Sequence, residues 1–108
     1  MVQAKLSEIE EYSTEKFVIK PIYEGVGGLA KVMHLLSGQG VPVHPHPGKE
    51  VTLFPQKGSA TVTWEDGTEQ LLEAGSVYYQ GVAPTFGVTN TGSEPFQMVV
   101  LVVHTPGK

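Results

Sequence analysis

His44 and His46 stand two residues apart, and each is followed by a proline. A residue before proline is driven out of the α region into extended backbone. In an extended chain, residues i and i+2 face the same way. The spacing therefore predicts two imidazoles on one strand face. Glu50 follows four residues after His46. Two neutral imidazoles and one carboxylate can hold a divalent metal with coordination positions left open, as non-haem iron and catalytic zinc both need. The plainer reading of the same residues is a proline-rich surface loop with two solvated histidines and an exposed carboxylate.

Other side chains extend the candidate site. His34 lies on a neighbouring strand-like run and either faces the same cavity or is a hydrogen-bonded core histidine. Tyr78 and Tyr79 are adjacent, so alternation lets only one of them point inward as a candidate proton-transfer group. Phe86 and Trp64 are candidate aromatic walls of an apolar pocket, and ordinary packing is the stronger reading for Trp64. His104 is given no role. The chain has no Gly-rich phosphate loop, no Gly-x-Ser-x-Gly elbow and no paired-carboxylate motif, so nucleophilic catalysis has no candidate.

Composition narrows the partners. There is no cysteine, which removes disulfides and thiolate metal sites. Seven basic residues, all lysines, face eleven acidic ones for a net charge of −4. Without arginine the chain lacks the side chain best suited to bidentate phosphate contacts. With the acidic balance, this argues against nucleic acid as a partner. The longest apolar run, residues 98–103, is six residues, far too short to span a bilayer. Glu8, Glu10, Glu11 and Glu15 occupy the region where an export signal has its apolar core, so the expectation is a cytoplasmic protein with no membrane partner.

The elements that must position these residues are short strands. A chain of 108 residues makes one domain. Residues 1–16 read as a polar arm: either a short helical turn, with Ser7 and Glu10 as a capping box, or a solvated segment. Residues 17–108 form the domain. Run 17–23 contains Pro21 and reads as an edge strand. In run 29–36, Ala30, Val32, His34 and Leu36 share one face, and Leu29, Lys31, Met33 and Leu35 share the other. Run 51–54 is a strand that Pro55 ends. Runs 60–64 and 68–72 flank Asp66-Gly67, a hairpin signal. Runs 76–80 and 85–89 are further strands. Run 96–104 is nearly all apolar and reads as buried on both faces. Eight or nine short strands with Gly and Pro punctuation and no long helix predict an all-β sandwich or barrel.

In the order Gly38, His44, His46, Glu50, Gly58, the spacing resembles the first motif of the cupins, small β-barrels of the jelly-roll (double-stranded β-helix) type. The second cupin motif matches in spacing at Gly75, Gly81, Ala83, Phe86 and Asn90, with altered chemistry. Gly81 replaces the family's proline, Ala83 its second glycine and Phe86 its histidine ligand, and Ser76 stands where the family usually has Asp. The gap from Glu50 to Gly58 is one residue longer than the family pattern. Counting back from Gly58 puts Val51 in the ligand place and turns Glu50 to the opposite face.

The resemblance implies a first-row metal (Fe, Mn, Ni, Zn or Cu) on His44 and His46, with Glu50 or His34. It implies dioxygenase, isomerase or lyase chemistry on small carboxylated or sugar-like molecules, with Tyr78 or Tyr79 moving a proton and Phe86 or His34 touching substrate. The lost histidine also motivates the alternative of a metal-free small-molecule-binding or sensing module. A homodimer, with strand 17–23 added to a neighbour's sheet, is implied as well.

Overall fold

The computed structural model describes residues 4–106. Among them the chain forms nine strands and no helix: β1 Val18–Glu24, β2 Gly28–Leu35, β3 Gly40–Pro45, β4 Lys49–Lys57, β5 Ser59–Trp64, β6 Glu69–Glu73, β7 Tyr78–Val82, β8 Thr85–Thr89 and β9 Phe96–His104. They build two antiparallel sheets, ordered β1-β2-β9-β4-β7 and β3-β8-β5-β6. The sheets face each other across one core: the all-β barrel expected from strand spacing, of the jelly-roll type that the cupin resemblance implies. No helix among the described residues is long and apolar enough to cross a membrane.

The apolar run of β9 takes the centre of the larger sheet, between β2 and β4. Phe96, Met98, Val100 and Val102 point into the core cluster, where Leu35, Leu53, Val62 and Leu72 meet them. Burying such side chains is worth about 1.5–3 kcal/mol each, so this strand anchors the fold. Val99 and Leu101 face outward and are only half-buried. Strand β1 lies at the edge of its sheet. The β5–β6 hairpin closes at Gly67, whose φ of 86° only glycine adopts cheaply. Asp66 Oδ1 accepts from Thr68 N at 2.9 Å and stiffens the turn.

One strand differs from the sequence expectation. Strand β4 runs through Pro55 instead of stopping before it. The Pro55 carbonyl accepts from Gly75 N at 3.0 Å, so its imide nitrogen faces the side where β7 has already ended. The proline thus removes no bond from the β4–β9 ladder, which continues with an irregularity between Pro55 and Lys57. The N-terminal segment makes one turn, with Glu8 N and Ile9 N both donating to Lys5 O. It then lies against the outside of the larger sheet. Gln97 Nε2 donates to Leu6 O and Gln39 Nε2 to Ser13 O, and Glu10 and Glu11 pair with Lys57 and Lys20, both at 2.7 Å.

Candidate functional site

The His-Pro segment is aimed by an irregularity in β3. Val41 pairs with Val88 and His44 with Phe86, so Pro42 and Val43 together oppose Gly87. Such a bulge re-aims the side chain that follows it. Only glycine fits opposite. A Cβ on residue 87 would stand 2.5 Å from Val41 O and 2.6 Å from Val43 N. The bulge also presents the Pro42 carbonyl to His44 Nδ1 at 2.8 Å.

His46 is held by the turn between β7 and β8. Its backbone N donates to Pro84 O at 3.0 Å, and its Nδ1 donates to the same oxygen at 2.9 Å. Ala83 sets up that carbonyl with a φ of 51°, a left-handed conformation that costs a residue with a Cβ about 1 kcal/mol. This is why a glycine is at home here in the family pattern. Both imidazoles therefore carry the proton on Nδ1 and leave an Nε2 lone pair free. Burial, with the His44, Lys49 and Lys31 charges, holds the His46 pKa below its ordinary value; the Pro84 bond opposes it.

The two rings lie 4.2 Å apart, and Phe86 stacks on His46 at 4.5 Å and 16°. Together they wall a cavity of about 320 Å³ between the two sheets. That size falls at the lower end for small-molecule sites. Ile19, Met33, Val51, Leu53, Met98 and Val100 supply much of its apolar lining, and Lys31 and Lys49 its only charged groups among the described residues. His44 is exposed and His46 half-buried, which places the pair at the mouth.

Of the side chains expected at the site, this cavity gathers His44, His46 and Phe86. Glu50 is not among them. Val51 lines the cavity in its place, so the one-residue slip falls against the carboxylate. Glu50 lies instead on the outer face beside Tyr79, whose phenol is pushed up first by desolvation and then by that carboxylate. His34 does not reach the cavity either. Lys31 and Met33 take the inward positions of β2, which turns His34 outward. There it is fully buried beneath the N-terminal arm. Its Nδ1 donates to Val18 O at 3.2 Å, its Nε2 accepts from Gln97 at 3.2 Å, and Tyr12 packs edge-on at 5.3 Å.

Neither tyrosine lines the cavity. Tyr78 packs against the core and its hydroxyl accepts from Glu73 N at 3.1 Å, while Tyr79 is exposed on the outside. Trp64 packs on the core and donates to Gln80 Oε1 at 3.0 Å. Asn90 is structural: fully buried, it donates to Leu35 O and Glu94 O and accepts from Gly92 N.

The donor set can be tested against a resident metal. Among the described residues no three His, Asp, Glu or Cys side chains converge. Val51 and Phe86 hold the two places that would complete the set, and two ammonium groups share the cavity. Two imidazoles in positive surroundings do not fit a tightly held divalent ion.

The lysines were the residues that motif reading missed. Their signal was present in the alternation of β2, where Lys31 is the one charged residue among Leu29, Met33 and Leu35.

Comparison with known proteins places the barrel among relatives. A family model described as Cupin domain matches residues 31–104. No functionally curated protein matches the sequence. A Thermus thermophilus protein of known structure is 25% identical, with TM-score 0.88, over 98% of this chain and 100% of its own. A conserved Klebsiella pneumoniae protein with a double-stranded β-helix domain is 24% identical, with TM-score 0.87, over 98% of this chain and 87% of its own. An RmlC-like cupin protein from Desulfovibrio desulfuricans is 18% identical, with TM-score 0.85, over 95% of this chain and 96% of its own.

Proposed function

The chain belongs to the cupin family, and from that premise we propose that its barrel is a binding compartment for a small organic molecule that needs no tightly held metal. One observation carries this reading: Val51 and Phe86 stand among the cavity residues where the family's carboxylate and second-motif histidine would be. The cavity keeps the shape of a ligand site, with apolar walls and a few converging polar groups. The imidazoles serve it as hydrogen-bond acceptors at the mouth, through Nε2.

The test is metal analysis of protein purified without chelator, beside a thermal-shift screen of organic ligands with and without EDTA. The expected result is metal well below one per chain and ligand stabilisation that EDTA leaves unchanged. One first-row metal per chain, lost in His44→Ala/His46→Ala, overturns it.

A second reading has its own support. The bonds from Nδ1 to Pro42 O and Pro84 O orient the rings as outer-shell partners orient metal-ligating histidines. On that reading a first-row ion sits on His44 and His46 only when a bound ligand supplies further donors, and it acts as a Lewis acid in a lyase, isomerase or dioxygenase reaction. Metal retained only in the presence of an organic ligand favours it.

A further inference from the structure

We infer that Lys31 and Lys49 form an anion-binding subsite inside this barrel, and that the molecule it takes is a small organic carboxylate with an apolar body. The inference rests on reading the barrel as a small-molecule compartment, and it names that molecule's chemistry.

Charge balance sets the two cavity lysines apart. Lys5 and Lys16 belong to the N-terminal segment ahead of the strands, and the four lysines on strands are of two kinds. Lys20 and Lys57 lie outside and each pairs with a glutamate at 2.7 Å. Lys31 and Lys49 line the cavity, and among the described residues neither is in an ion pair. Among the described residues no carboxylate lines the cavity with them. Glu50, next in sequence to Lys49, turns away from it toward Tyr79. A half-buried ammonium without a partner is unfavourable. A second one beside it adds repulsion. Burial, and then the Lys49 charge, hold the Lys31 pKa below its ordinary value. A ligand anion relieves both costs at once.

The rest of the cavity selects the kind of anion. Ile19, Met33, Val51, Phe86 and Met98 offer apolar contact and little hydrogen bonding, so the ligand's body is hydrocarbon or aromatic. Phosphate sites usually draw on arginine or on backbone N–H groups at a glycine-rich loop or helix N-terminus. The chain has no arginine, and the described part has no helix. Two point-charge ammonium groups in an apolar chamber suit the more weakly hydrated carboxylate.

The experiment is calorimetric titration of the full chain, in low-salt buffer at neutral pH, with hexanoate, octanoate, benzoate, phenylacetate and phenyl phosphate. Each carboxylate is run beside its primary amide. At least one carboxylate should bind, and its amide should bind about tenfold more weakly or worse, the usual worth of one charge-assisted hydrogen bond. Added sodium chloride weakens the acid and not the amide. Lys31→Met and Lys49→Met each weaken the acid about tenfold and leave the amide unchanged; thermal melts confirm that both variants fold. An amide that matches its acid, or lysine variants that leave the acid unchanged, overturn the subsite and leave the compartment standing. Phenyl phosphate binding more tightly than every carboxylate overturns the ligand class. No binding by any probe overturns the compartment and the subsite together.

Discussion

On the outer face of the β1-β2-β9-β4-β7 sheet, His34 has a partner for each ring nitrogen, and the adjacent Gln97 side chain reaches both the ring and Leu6 O. On the inner face of β2, the strand that carries His34, Lys31 and Met33 line a cavity where the ammonium has no counter-ion among the described residues. The histidines at the cavity mouth are of the second kind too: Nδ1 is satisfied and Nε2 is open. The contrast teaches how to tell structure from site within one small barrel. At His34 and Asn90 the polar groups that hold the fold are paired, although Gln80 Nε2 is buried without a partner. In the cavity, the groups left open are those that a ligand completes.

The largest effect that sharpens this contrast is on stability. His34→Ala opens a buried space and strands Val18 O and Gln97, so it should cost about 3 kcal/mol in chemical denaturation. His44→Ala, at the exposed mouth, should stay within about 0.5 kcal/mol and change ligand binding instead. Equal losses in the two variants would erase the distinction.

The same outer network carries a pH dependence. Burial holds the His34 pKa below its ordinary 6.5, opposed by the Val18 carbonyl bond and the Glu10 and Glu11 carboxylates and aided by the Lys20 charge. Tyr12 faces the ring as well, its phenol pushed up by desolvation and by Glu10. A depressed folded-state pKa means that the unfolded chain binds the proton more readily. The neutral ring's contribution is complete above pH 6.5 and is lost as pH falls from there through the folded-state value. Protonation would also put an N–H against the Gln97 amide donor. Denaturation at stepped pH between neutrality and the carboxylate range should show stability declining toward acid, with a smaller decline in His34→Gln. An unchanged slope in that variant would remove His34 as the cause.

Two smaller effects probe the inner face. Lys31→Met replaces an uncompensated half-buried charge with an apolar side chain of similar length. It should raise stability by about 1 kcal/mol, read as a higher denaturation midpoint. A loss of stability would mean that the ammonium has a structural partner. Ala83→Gly relieves a positive φ at 51° but adds unfolded-state freedom. The two terms nearly cancel, and the melting temperature should move by no more than a few degrees, upward if at all.

Most of the fold was legible because its signals are local. Asp66-Gly67, the alternation of residues 29–36 and the apolar run 96–104 each dictate an element without reference to the rest. The site was legible in part. Proline-restricted backbone put His44 and His46 together, and the family frame drew attention to Phe86. Glu50 was undecidable by motif count, because its facing depends on where β4 enters the ladder with β9 and β7, and that is settled by pairing. The choice for His34 between the cavity and a hydrogen-bonded core position was open for a related reason. Alternation shows that His34 and Lys31 oppose each other but not which face the second sheet covers. The N-terminal arm was unreadable as a cover, since its hold on the sheet depends on Gln97 Nε2, Lys20 and Lys57, distant in sequence.

The measurement that bears most directly on the account is methyl NMR of the selectively labelled protein during titration with the tightest carboxylate of the panel. The inner methyls of Met33, Val51, Leu53 and Met98 should shift with saturation, while the outer methyls of Val99, Leu101 and Val103 stay still. Saturating shifts on the outer set, with the inner set unmoved, would contradict a ligand inside the barrel.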